Sequence, residues 1–87
     1  MKTKRVKVYA LSTCGWCKKT VAWLKDNGID AEVVYTDEIA DEAQREAVIC
    51  QAKKHNPLLS FPTVVIDGGK CVVVGFEPEK IQEALNK

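Results

Sequence analysis

The sequence predicts an α/β sandwich with the element order β-α-β-α-β-β-α. Three observations lead there. Runs with the two-residue period of strands alternate with helix-period segments. A helical crossover joins the first two strands, which requires them to pair in parallel. The last two strands flank Asp67-Gly68-Gly69, a turn that returns the chain as an antiparallel hairpin. The expected product is a four-stranded mixed sheet flanked by helices on both faces.

Val6 to Leu11 reads as the first strand, with Val6, Val8 and Ala10 on one face and Lys7, Tyr9 and Leu11 on the other. Cys17 to Asn27 reads as the first helix, burying Cys17, Val21 and Leu24. Asn27-Gly28 stops it, because glycine accepts the left-handed conformation common just past a helix end. Ala31 to Tyr35 is the second strand. Asp37, Glu38, Asp41 and Glu42 are expected at the start of a second helix, where negative charge complements the helix dipole. Ala43, Ala47 and Cys50 are expected to form its buried seam. Lys53, Lys54 and His55 fall in its last turn, and Asn56-Pro57 ends it. Thr63 to Ile66 and Lys70 to Val74 are the hairpin strands. Pro78 suits the first turn of a final helix, whose inner stripe is Ile81, Ala84 and Leu85.

At 87 residues, positions 1–87 are expected to form a single domain. The formal net charge of +1 gives no field that would draw nucleic acid. The basic cluster Met1 to Arg5 is read as a solvated chain end. No apolar run approaches the roughly 18 residues that span a membrane, and no secretory pattern precedes the first strand. The expectation is a cytoplasmic monomer with neither nucleic acid nor membrane as partner.

The four cysteines divide into one close pair and two singles. A disulfide scaffold belongs to an oxidising compartment, and nothing in the sequence points to export. Structural zinc sites usually draw on two close pairs. Here Cys50 and Cys71 stand alone, so no metal is expected. Cys14-Gly15-Trp16-Cys17 sits at the first strand–helix junction, which makes Cys-x-x-Cys a redox signal. The attacking species in disulfide exchange is the thiolate. Unpaired N–H groups at a helix start stabilise an anion, which favours Cys14 as the nucleophile. Lys18 and Lys19 would add to that field. Cys17 faces the helix interior and should stay a thiol until it resolves the mixed disulfide. Gly15 is expected to permit a tight backbone and close substrate approach. Trp16 is expected to be partly exposed for docking, with Phe61 and Phe76 beside it. Thr13 and Thr63 are candidates for local hydrogen bonds, with plain turn and strand-start capping an equal alternative. Cys50 is read as buried, Cys71 as partly exposed, and His55 as serving the helix end.

Ser12-Thr13-Cys14-Gly15-Trp16-Cys17, Ser60-Phe61-Pro62-Thr63 and Gly75-Phe76-Glu77-Pro78 together carry a resemblance to the glutaredoxin family of the thioredoxin superfamily. It extends over nearly the whole chain. The resemblance implies the thioredoxin/glutaredoxin fold, thiol–disulfide exchange at Cys14 and Cys17, and a cis Phe61–Pro62 bond beside the site. It also implies a substrate surface of Trp16, Phe61, Pro62, Thr63, Gly75 and Phe76, tuned by Thr13, Gly15 and Lys18. Gly15-Trp16 stand where glutathione-using members often carry Pro-Tyr, and Leu11 where they often carry lysine. Gly75-Phe76-Glu77-Pro78 is similar to the Gly-Phe-x-Pro stretch of NrdH-type redoxins. The implied activity is reduction of protein disulfides, with ribonucleotide reductase among the candidate acceptors. Glutathione or a thioredoxin-type reductase would supply the electrons, and no cofactor is expected. The alternative is a scaffold for a [2Fe–2S] cluster, as in members that lack proline at the second motif position.

Overall fold

A computed structural model describes residues 5–86. Residues 1–4 of the basic cluster Met1 to Arg5 therefore lie outside the described residues, and Arg5 is exposed. The strands are β1 (Val6–Ala10), β2 (Ala31–Tyr35), β3 (Thr63–Ile66) and β4 (Cys71–Val74). The helices are α1 (Gly15–Asp26), α2 (Glu42–His55) and α3 (Pro78–Leu85). The order is the expected β-α-β-α-β-β-α, and it builds a thioredoxin-type α/β fold. Among the described residues no helix is long and apolar enough to cross a membrane.

The sheet runs β2-β1-β3-β4. β1 pairs in parallel with β2, antiparallel with β3, and β3 pairs antiparallel with β4. Val8 lies opposite Val33 on one side and Val64 on the other, and Val64 lies opposite Val73. The central position of β1 and β3 explains why almost every residue in them is buried. The two sheet faces then separate by parity. Val6, Val8, Ala10, Val64, Ile66 and Val73 pack with Cys17 and Leu24 of α1 and Ile81 and Ala84 of α3. Tyr9 and Val65 pack on the other face with Ala52 of α2.

Several sequence expectations are corrected. α1 begins at Gly15, two residues before the expected start, so Cys14 becomes its N-cap. Its inner positions are Cys17, Thr20 and Leu24, and Val21 is half-buried. Thr20 tolerates burial because its hydroxyl donates to the Trp16 carbonyl at 2.9 Å. β1 stops at Ala10 and β4 starts at Cys71, each one residue inside the expected span. Asp37 and Glu38 belong to a separate 3-10 turn (Thr36–Glu38), and α2 is capped by Asp41, whose carboxylate accepts from the Ala43 N–H at 3.0 Å.

The expected seam of α2 faces water. Ala43, Ala47 and Cys50 are all exposed, while Ala52 is buried and Val48 packs beside it. At about 100° per residue the two sets lie on opposite sides of the helix. Cys50 is therefore an exposed thiol, whereas Cys71 is half-buried as expected.

Leu24→Ala is expected to cost about 2–5 kcal/mol, through lost apolar burial and the cavity left behind. Val21→Ala should cost clearly less. Urea titration of both variants checks this, and equal losses would mean that Val21 is packed into the core as fully as Leu24.

Candidate functional site

The β1–α1 connection brings Cys14 to the C-terminal end of the central strand. The Cys14 N–H closes a turn onto the Leu11 carbonyl at 3.1 Å, and the Cys14 carbonyl accepts the first helical bond from Lys18 at 3.2 Å. The Cys14 backbone is extended (φ −87, ψ 116), and its sulfur accepts from the Cys17 N–H at 3.2 Å. That is the geometry of an N-cap side chain, with sulfur in the place of the usual oxygen. Cys14 is half-buried, whereas Cys17 is 0 % exposed against the core.

Burial pushes the Cys17 thiol up to about 11. Its hydrogen bond with the Cys14 sulfur and the charges of Cys14 and Asp37 act in the same direction, and a backbone hydrogen bond with Leu11 opposes them in part. Cys17 is thus a neutral thiol at physiological pH. The two sulfurs of one motif occupy different environments, one at a helix start and one in the core.

Around them lies an open apolar surface. Trp16 is 58 % exposed and stacks on Phe76, with ring centroids 6.1 Å apart and planes inclined by 29°. The Lys19 ammonium sits 4.7 Å from the centre of the Trp16 ring, a cation–π distance. Lys18 and Thr13 are exposed. Gly15 has no left-handed backbone, and a Cβ there would meet nothing within 4 Å. The tight backbone expected of Gly15 is therefore not found, since helical φ and ψ need no glycine. What glycine does here is leave the motif uncovered.

The Phe61–Pro62 bond is cis, as the resemblance implied. Phe61 is half-buried and packs against both core clusters, while Pro62 and Thr63 are fully buried. The Pro62 carbonyl accepts from the Gly75 N–H at 2.8 Å, which ties the Phe76 loop to the proline turn. Gly75 adopts φ +85, a conformation that favours glycine over other residues. Trp16, Phe76 and the proline loop are thus linked on one side of the molecule. A cavity of about 580 Å³ opens at the other end of β1, lined by Arg5, Lys7, Gln51 and His55 among others. None of the motif residues lines it. Cys14 lies at an open surface, with Cys17 buried beneath it. His55 does not approach them either; it packs over Gly69 in the β3–β4 turn.

The protein-family model for glutaredoxin matches residues 6–72. This chain belongs to the glutaredoxin family. A glutaredoxin-like 8.6 kDa protein of the rubredoxin operon of Clostridium pasteurianum, itself uncharacterized, is 30% identical over 83 residues, covering 94% of this chain and 99% of the relative. Methanoredoxin from Methanosarcina acetivorans superimposes with a TM-score of 0.86 at 40% identity, over 95% of this chain and 85% of that one. The glutaredoxin-like NrdH-redoxin from Escherichia coli shares the fold, with a TM-score of 0.66 at 24% identity over 91% of this chain and 92% of that one.

Two polar side chains of this glutaredoxin support the site without any sequence signal. Asp37 binds the loop before Cys14, accepting from the Ser12 N–H at 2.9 Å and the Ser12 hydroxyl at 2.5 Å. Asn56, buried at the end of α2, donates from Nδ2 to the Ser60 carbonyl at 3.3 Å, Ser60 Oγ at 3.1 Å and Thr63 Oγ1 at 3.2 Å. The Thr63 hydroxyl donates in turn to the Ser60 carbonyl at 2.6 Å. This buried cluster fixes both sides of Phe61–Pro62. Of the two expected threonine contacts, Thr63 therefore takes part in hydrogen bonding close to the proline turn.

Asn56→Ala removes the donor to the buried Thr63 hydroxyl and to the exposed Ser60. A loss of about 1–3 kcal/mol is expected in chemical denaturation. Unchanged stability would show that these bonds do not hold the loop.

Proposed function

We propose that this glutaredoxin is a dithiol thiol–disulfide oxidoreductase that reduces protein disulfides through a Cys14–Cys17 couple. The single observation that carries the reading is the division of labour between the sulfurs. Cys14 caps α1 and receives an N–H from the helix, while Cys17 is buried and protonated three residues later. A nucleophile needs a stabilised anion, and a resolving thiol needs to remain inert until the mixed disulfide forms.

The Cys14 thiolate attacks one sulfur of the substrate disulfide. A Cys14–substrate disulfide forms and the other substrate sulfur leaves as a thiolate. Cys17 then loses its proton and attacks the Cys14 sulfur. The Cys14–Cys17 disulfide closes, and the second substrate sulfur leaves. Two electrons have passed to the substrate, which ends as a dithiol. Holding Cys17 next to Cys14 makes the second step effectively unimolecular.

The open aromatic surface favours a protein over an enclosed small molecule. The exposed Trp16 stacks on the half-buried Phe76, and Phe61, Pro62, Thr63 and Gly75 build the adjoining loop. Aromatic residues are enriched in protein interfaces for this kind of contact. Ribonucleotide reductase is one acceptor that this chemistry suits. Glutathione or a thioredoxin-type reductase would restore the dithiol in a reducing, cytoplasmic setting. Thr13, Gly15 and Lys18 would tune the motif.

Cys14→Ser is expected to abolish reduction of a protein disulfide such as that of insulin. Cys17→Ser should trap the mixed disulfide, visible as a mass adduct on Cys14. Trp16→Ala should raise KM for the protein substrate several-fold with little change in kcat. Full activity in Cys14→Ser would refute the assignment. Parallel assays with glutathione and with a thioredoxin-type reductase identify the donor.

A further inference from the structure

Away from the motif, the cavity of about 580 Å³ opens on the α2 face of the sheet. Its volume falls within the range of small-molecule sites, about 300–1,000 Å³. Lys7 and Tyr9 alternate onto this face from β1, Val65 joins them from β3, and Gln51 and His55 form a wall from α2. Tyr9 is 2 % exposed, yet its hydroxyl has no hydrogen-bond partner among the described residues and is not sealed from the cavity it lines. A polar group of a residue so deeply buried is normally satisfied. The rim carries charge of both signs. The Lys7 ammonium lies 5.3 Å from the centre of the Tyr9 ring and 4.0 Å from a Glu32 carboxylate oxygen. Arg5 and Asp30 stand one step before the paired Val6 and Ala31, on adjacent strand ends. Both are exposed and without an ion pair among the described residues.

We propose that this cavity binds a small zwitterion, an amino acid or short peptide whose carboxylate meets Arg5, Lys7 and the Tyr9 hydroxyl and whose ammonium meets Asp30 and Glu32. Arg5 and Lys7 oppose Asp30 and Glu32 in the lining, so neither a plain anion nor a plain cation finds a favourable net field. An apolar ligand would desolvate those charges and leave the Tyr9 hydroxyl unmatched. A neutral polar ligand would forgo the stronger hydrogen bonds between ionised groups. A molecule with one group of each sign matches both sides of the rim at once. The apolar surface of Val65 is left for its side chain. No motif residue lines the cavity, so the site stands independently of the Cys14–Cys17 chemistry.

The test is a titration of the full chain with the dipeptide alanyl-leucine, followed by amide chemical shifts, beside its N-acetylated and C-amidated forms. The dipeptide is expected to move the amides of Lys7, Ala31, Gln51 and Gly68 saturably and to leave those of residues 14–17 in place. Each blocked form lacks one charge and should bind at least about fivefold more weakly. Tyr9→Phe keeps the buried ring and removes only the hydroxyl, and a loss of affinity of roughly three- to tenfold is expected. Arg5→Gln should weaken the dipeptide but not the amidated form, which has no carboxylate. Asp30→Asn should weaken the dipeptide but not the N-acetylated form, which has no ammonium. Both positions are exposed, so these two variants decide the matter even if Tyr9→Phe does not fold. Parental affinity in Tyr9→Phe overturns the inference, as does equal binding of the free and blocked dipeptides. Shifts centred on residues 14–17, or no saturable shift at the cavity, overturn it as well and leave the redox reading standing.

Discussion

A sulfur atom caps the first helix. The Cys14 side chain stands where serine, threonine or aspartate most often stands, and it accepts the Cys17 N–H. An oxygen cap would serve helix stability better, since typical oxygen caps contribute about 1 kcal/mol over alanine. In the proposed reaction, sulfur at this position exchanges part of that for a nucleophile set against the amides of the helix start. Everything else at the site follows from the placement. The helix must start at Gly15, Cys17 must then point inward, and the β1–α1 connection must be short enough to hold both.

The layers enforce the placement from below. β1 is central and almost wholly buried, so its C-terminal end is a fixed platform for the motif. α1 packs Cys17, Thr20 and Leu24 onto that strand, which leaves Trp16 no room inward. The neighbouring loops are tied by hydrogen bonds between polar groups. Asn56 secures Ser60 and Thr63, Pro62 secures Gly75, and Asp37 secures Ser12. The outcome is a hydrogen-bonded frame around the exposed Trp16 and the half-buried Phe76 it stacks on. Such a frame lowers the ordering cost of binding an extended partner.

Local patterning made most of the architecture legible. The alternation in β1, the stop at Gly28 and the turn at Gly68-Gly69 are short-range signals, and each marks a real boundary within two residues. The motif was legible because Cys-x-x-Cys after a strand has few structural uses. The phase of α2 was not legible. Its alanines at 43, 47 and 52 are small enough to suit either face, and only the packing of Val48 and Ala52 against the sheet decides which side is buried. Asp37 and Asn56 escaped for another reason. Asp37 meets Ser12 across 25 residues, a pairing that tertiary closure fixes, and Asn56 reaches Ser60 and Thr63 across the proline turn, whose shape local patterning does not show. The helix start was misplaced because glycine and tryptophan read as loop residues, while the sulfur cap lets helical geometry begin at the first of them.

The most direct measurement is limited alkylation of the reduced protein with substoichiometric iodoacetamide, mapped by peptide mass at several pH values. Exposure alone would rank Cys50 first, because Cys14 is half-buried. The helix cap predicts the reverse at pH 7: Cys14 reacts ahead of Cys50, and Cys17 joins only as the pH approaches about 11. Modification of Cys50 or Cys17 before Cys14 would contradict the account.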